Sequence, residues 1–361
     1  MLVPANLLTV LQDLKLILIT FLIAICAGVF LMWLSTPAPY LLGSLAGVWL
    51  LGAANKTVRR SVGIPRWFQV CVILGLGTLI GGSFRPDSLA QIMNWAPSIF
   101  AMFVATFLAT ATGLIFLTRF RKYEFRLALL SCIPGGQAEM ILISRDFVER
   151  DYVVSLFHLV RVTMVFCLVP LSLLLVQGET AVEASNANLA SMPSLFFVSA
   201  ATLFSFFIVS MLGLLFAKFI HLPMPHLLGP LMVSSMLHIF GAIEIPRINE
   251  FIILAQLTIG GMIGARLASV EILEIIKHLK DAILSAILVI LVYVLVALVI
   301  AWIMNVQFLG MLLAFIPGGF YEVTLIALIF GFDLAFIAFH HSVRVMLVFL
   351  LLPKIISRTR I

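Results

Sequence analysis

Residues 132–143 read CIPGGQAEMILI, and residues 315–326 read FIPGGFYEVTLI. Each stretch sets a proline, two glycines and a glutamate inside an apolar run, and the two lie 183 positions apart. Proline removes a backbone donor and clashes with the preceding turn, while paired glycines adopt conformations closed to other residues, so each motif stops a helix. Aligned without gaps, Ile133–Pro170 and Ile316–Pro353 are identical at 16 of 38 positions, which marks an internal duplication. The shared residues include Pro134/Pro317, Gly135/Gly318, Gly136/Gly319, Glu139/Glu322, His158/His341, Arg161/Arg344 and Pro170/Pro353. Upstream, PYLLG at Pro39 matches PHLLG at Pro225, and Arg85 matches Arg266, so the repeat covers nearly the whole chain.

Composition places these breaks in lipid. Of 361 residues, 63% are hydrophobic and 11% are charged, against roughly 25% charged in soluble domains. Leu16–Asn55 and Ala282–Tyr321 contain no Asp, Glu, Lys or Arg, and each is long enough for two membrane helices of about 20 residues. The apolar run after Lys15 is longer than a signal-peptide core and reads as a retained first helix. The net charge of +6 comes from Lys/Arg clusters between apolar segments, which orient a chain in a bilayer; no nucleic-acid-reading module is present. Cys26, Cys71, Cys132 and Cys167 lie in apolar segments without metal or disulfide spacing.

The expected fold is an all-α integral membrane protein with repeat 1 over 1–176, an extracytoplasmic linker over 177–193 and repeat 2 over 194–361. Each repeat shows six apolar segments. If all twelve cross the bilayer, 13 Lys/Arg fall inside and seven outside; if both P-G-G segments are re-entrant or interrupted, leaving ten crossings, 18 of 22 fall inside. The positive-inside rule prefers the second arrangement, with both termini cytoplasmic. Five crossings per repeat turn the second copy upside down, the inverted-repeat plan of secondary transporters, whose site lies between the copies near the midplane.

A helix break at membrane depth is tolerated only where its freed backbone groups line water or are buried in protein. The half-helices restart near Gln137 and Phe320, with Glu139 and Glu322 in their first turns. These carboxylates either cap their own half-helices or bind a cation or proton. His158 and Arg161, like His341 and Arg344, share a helix face. The expected partners of the arginines are Glu139 and Glu322, and the alternatives are locked ion pairs or a hold on an anionic substrate. Gln137 and Tyr321 complete the candidate substrate- or ion-binding set, with Pro134, Gly135, Gly136, Pro317, Gly318 and Gly319 forming the breaks. GLGTLIGGSF at Gly75 and IGGMIGARL at Ile259 offer small faces for close helix approach. His340 adds a third imidazole near His158 and His341, but no recognised metal, nucleotide or nucleophile motif occurs, so no cofactor, no metal and no enzymatic activity are expected.

The duplicated I-P-G-G-x-x-E with a following H-x-x-R-V resembles the AbrB-type family of duplicated bacterial membrane proteins, which is distinct from the soluble DNA-binding regulator sharing that name. Some members are called regulators of gene expression and others ammonia monooxygenases. The architecture is similar to cation/proton antiporters and anion transporters with crossed, interrupted helices, a similarity that implies Glu139 and Glu322 at the crossing. The expected function is secondary active transport of a small solute or ion across the bacterial inner membrane, coupled to protons or sodium, with a homodimer implied by analogy. The alternatives are a membrane sensor that regulates gene expression on a transporter-like fold, and a metal-dependent membrane monooxygenase.

Overall fold

The computed structural model describes residues 7–135, 140, 143–269 and 272–358. Among them the regular structure is helical throughout, with no strand. In the first half the helices are α1 (Leu7–Trp33), α2 (Pro39–Ala54), α3 (Lys56–Ser61), α4 (Arg66–Gly81), α5 (Ser88–Asn94), α6 (Ala96–Ile115, continued by a π-helical turn, Phe116–Phe120), α7 (Phe125–Cys132) and α8 (Asp151–Gln177). Helix α9 (Glu179–Ala190) lies in the linker. The second half forms α10 (Ala200–Phe219), α11 (Pro225–Ile239), α12 (Asn249–Ser269), α13 (Ile272–Met304), α14 (Phe308–Phe315), α15 (Phe320–Ile329) and α16 (Leu334–Arg358).

Seven of these helices contain stretches long and apolar enough to cross a membrane: α1, α6 with its π-turn, α8, α10, α12, α13 and α16. Helices α2, α4 and α11, at 16, 16 and 15 residues, rise only about 22–24 Å. The long helices turn large apolar side chains outward, among them Leu18 and Leu22 on α1, Phe107 on α6 and Trp302 on α13. In water such a surface would be an aggregation site; in lipid it is solvated. The protein is an all-α membrane protein.

The duplication is written into the backbone as well as the side chains. Non-glycine residues with positive φ come in pairs: Ser35 and His221 (53° and 55°), Ala38 and Met224 (both 49°), Lys122 and Asn305 (59° and 52°). The first two pairs are 186 positions apart and the third 183. Left-handed backbone is uncommon in residues with a Cβ, so its recurrence at the repeat offsets reports a shared chain path. Ala38 and Met224 serve the same purpose, turning the chain into α2 and α11 just before a proline at the first helical position.

Compactness divides the chain differently from the repeat. One unit comprises Met1–Arg85, Cys167–Glu271 and Leu328–Gly331; the other comprises Pro86–Phe166, Ile272–Ala327 and Phe332–Ile361. Each draws on both copies. In the first unit α2 packs on α12 and α4 on α11, the same pairing with the copies exchanged. Glycines permit it: a Cβ on Gly77 would stand 2.6 Å from Leu227 O, and one on Gly260 would stand 2.6 Å from Leu41 O. One turn on, Gly81 faces Leu231 O at 2.5 Å and Gly264 faces Leu45 O at 2.6 Å. These are the two glycine-bearing runs of the sequence, used as G-x-x-x-G contact faces. In lipid, where apolar surface gains little by leaving its surroundings, such close approach is what holds helices together.

The second unit holds α5 to α7, most of α8, α13, α14, most of α15 and all of α16. It contains every described candidate site residue.

Candidate functional site

Both breaks form as the motif requires. Helix α14 ends at Phe315, and Ile316 extends to φ −59°, ψ 137°, the conformation imposed on a residue before proline. Helix α7 ends at Cys132, with Ile133 at φ −57°, ψ 133°. A helix that stops leaves its last carbonyls without intrahelical donors, and at this depth water does not supply them freely.

The H-x-x-R pair supplies the missing donors. Arg344 donates from Nη1 to Phe315 O (2.5 Å) and from Nη2 to Ile316 O (3.2 Å), and His341 Nε2 donates to Leu313 O (2.9 Å). In copy 1, Arg161 donates to Cys132 O (3.0 Å) and Ile133 O (3.2 Å), and His158 Nε2 to Leu130 O (2.9 Å). Each arginine also donates to Nδ1 of its histidine, at 3.0 Å in copy 1 and 2.8 Å in copy 2. An accepting Nδ1 together with a donating Nε2 defines the neutral imidazole. The cation stands at a helix C-terminus, where the peptide dipoles present negative charge. The sequence reading assigned these arginines to Glu139 and Glu322; the described contacts of both guanidinium groups are instead with carbonyl oxygens, an imidazole and Tyr293.

Glu322 serves the other end of the break. Gly319 adopts φ +88°, and its missing Cβ leaves a space 2.6 Å from Glu322 Cδ, so the carboxylate folds back over the start of α15. A glutamate at the third helical position is placed to cap the first-turn donors. Its carboxylate is buried, 4% exposed, and Tyr321 beside it is buried as well. Phe320 stacks on His341 with ring centres 5.7 Å apart, tying the restart of the helix to the residue that caps its predecessor. Of the copy-1 counterparts, Pro134 and Gly135 are described and lie at the break, while Gly136, Gln137 and Glu139 lie outside the described residues.

Both breaks touch α8. A Cβ on Gly318 would run into Val165, which stands one helical turn from Arg161, and Arg161 closes the copy-1 break. Both guanidinium groups act electrostatically on Tyr293, in the middle of α13, and on each other. Tyr293 is completely buried; its hydroxyl donates to Thr106 Oγ1 on α6 (3.0 Å), and its ring centre lies 6.0 Å from the Arg344 guanidinium carbon. Sequence reasoning missed Tyr293 and Thr106. The available signal was a lone phenol within an uninterrupted apolar run of α13.

A second polar cluster stands near the start of α7. Tyr123 Oη lies 2.6 Å from His278 Nδ1 and donates to Asp281 Oδ2 (3.0 Å), while Arg121 Nε pairs with Asp281 Oδ1 at 2.5 Å. Burial, followed by the Asp281 carboxylate, pushes the Tyr123 phenol well above its ordinary range. Arg150 also acts on this phenol, and it lines a cavity of about 380 Å³ together with Glu124, Leu127, Phe147, Val148 and Glu149. Leu127 is five residues before the end of α7, about 8 Å along the helix from the break.

His340 contacts Ser98 Oγ (2.9 Å) and Phe336 O (2.8 Å), and among the described residues no three His, Cys, Asp or Glu side chains converge.

A family model described as "Transition state regulatory protein AbrB" matches residues 40–360. The chain belongs to the AbrB family. Its similarity to two relatives extends over most of both chains. It is 23% identical over 323 residues to the Bacillus subtilis (strain 168) protein named "Uncharacterized protein YhjN", covering 86% of this chain and 82% of that one. It is 24% identical over 320 residues to the Escherichia coli (strain K12) protein named "Putative regulator AbrB", covering 88% and 89%. In this AbrB-family chain, the H-x-x-R motif of each copy caps the half-helix that ends just before its P-G-G motif.

Proposed function

We propose that this AbrB-family protein is a secondary active transporter, moving a small solute or ion by alternating access with proton or sodium coupling. The observation that carries the reading is the approach of the copy-2 break to α8 of copy 1, through Gly318 against Val165, one turn from the Arg161 that closes the copy-1 break. Unwound backbone at membrane depth is the recurrent feature of transporter sites. The 380 Å³ cavity near α7 supports the reading as an approach to the break. In the ten-crossing arrangement this cavity opens on the cytoplasmic side of the inner membrane, where both termini also lie. The copies are inverted and the work done is movement, with no covalent chemistry.

The test is flux in proteoliposomes across a panel of solutes under imposed proton and sodium gradients. Glu322→Gln keeps a cap on α15 and removes the titratable charge; it is expected to abolish gradient-driven flux while the helical circular-dichroism signal and thermal midpoint stay near wild type. Undiminished flux in Glu322→Gln removes the carboxylate from the mechanism. A regulator with no transport activity, the reading suggested by the name of the Escherichia coli relative, predicts no gradient-driven flux for any solute.

A further inference from the structure

The cavity beside α7 carries a charge pattern that the transporter reading leaves unused. Its lining divides into three charged side chains, Glu124, Glu149 and Arg150, and three apolar ones, Leu127, Phe147 and Val148. The chain delivers the charges from two directions. Glu124 immediately precedes α7, and its carboxylate makes no capping hydrogen bond to that helix. Glu149 and Arg150 end the connection into α8, where Val153 N donates to Arg150 O (3.1 Å). Neighbouring charges are satisfied elsewhere, Arg145 by Asp151 (3.2 Å) and Arg121 by Asp281. Arg150 and the two carboxylates line one cavity, yet among the described residues none of the three has an ion-pair partner. Opposite charges that share a cavity and stay apart leave both signs available to a ligand.

We propose that this cavity binds an α-amino acid with an apolar side chain, its carboxylate toward Arg150, its ammonium toward Glu124 and Glu149, and its side chain against Leu127, Phe147 and Val148. A lone anion would answer Arg150 but meet two carboxylates of its own sign, and a lone cation would leave Arg150 uncompensated. A zwitterion answers both. Leu127 is buried and Phe147 and Val148 are partly buried, so the apolar wall offers surface to a hydrocarbon side chain rather than to water. A volume of about 380 Å³ stands near the lower end of the range for small-molecule pockets, about 300–1,000 Å³, which suits a ligand of this size. As the substrate class of the transporter this rests on the function proposed above; as a binding site it stands independently.

The experiment measures the thermal midpoint of the purified full chain in detergent, at neutral pH and matched ionic strength, against L-leucine, isocaproate and isopentylamine. Isocaproate lacks leucine's ammonium, and isopentylamine lacks its carboxylate. A saturable rise with leucine is expected, because a ligand that binds the folded state raises apparent stability. Each analogue should bind about fivefold more weakly, the most that one exposed ion pair supplies. Arg150→Gln should weaken leucine by a similar factor without weakening isopentylamine, and Glu149→Gln should weaken leucine without weakening isocaproate. Both side chains are exposed, so neither exchange disturbs the packing of the fold. No saturable rise with leucine, an analogue that binds as tightly as leucine, or an undiminished leucine response in either variant overturns the assignment. Flux data separate the two readings: leucine binding without flux of any solute defeats the transporter and leaves the site, whereas gradient-driven flux of another solute without a leucine response does the reverse.

Discussion

The two compact units are built from the same duplication and solve opposite problems. In the first, α2 meets α12 and α4 meets α11 through backbone, with Gly77, Gly81, Gly260 and Gly264 allowing carbonyls of the facing helix to approach. In the second, two helices are broken, and charged side chains close their ends. A unit without buried charge needs only shape, and small residues supply it. A unit that unwinds its backbone must find donors for the carbonyls it frees. The difference shows where the molecule accepts costly groups, and such groups in membrane proteins accompany function.

The largest effect should come from removing a closing charge. Arg344→Ala leaves Phe315 O and Ile316 O without their side-chain donors and is expected to lower stability by at least about 3 kcal/mol. Arg344→Lys should recover part of this. Denaturation in detergent micelles measures both, and a stable Arg344→Ala protein would erase the contrast between the units. Of intermediate size, Gly77→Ala and Gly260→Ala should each cost about 1–3 kcal/mol by overpacking. Gly260→Ala should cost the more, since its methyl runs into Ser44 Oγ as well as the carbonyl that each added methyl meets at 2.6 Å, and equal costs would show that Ser44 turns aside freely. The smallest effect concerns Tyr123, whose phenol is raised by burial and by Asp281. A raised acid stays protonated in the folded chain while the unfolded chain loses its proton, so its stability contribution is present below the unfolded value of about 10 and is lost as pH rises beyond it. Tyr123→Phe should therefore flatten the fall in thermal midpoint above that pH, and an unchanged slope would show that Tyr123 does not report on folding.

Much of this was legible in the residues. Proline followed by two glycines stops a helix in any surroundings, so the breaks at Pro134 and Pro317 could be read directly, as could the apolar segments. The glycine runs announced contact faces, and the structure uses them. The partners of Arg161 and Arg344 were not legible, because charge alone suggested the glutamates. A carbonyl freed by a helix end is also an acceptor, and it carries no letter in the sequence. Nor could Tyr293 be placed, since a phenol in an apolar run gives no hint of which arginine it faces.

The sequence by itself determined that the chain lives in lipid, repeats a single unit and interrupts two helices, because hydropathy, identity at fixed offset and the backbone limits of proline and glycine are local properties. Only the tertiary structure decided that each compact unit mixes the copies, and that arginine and histidine close one half-helix while glutamate folds over the next. Those outcomes depend on which orphaned backbone groups and which side chains are brought face to face, and neighbours in space are set by packing.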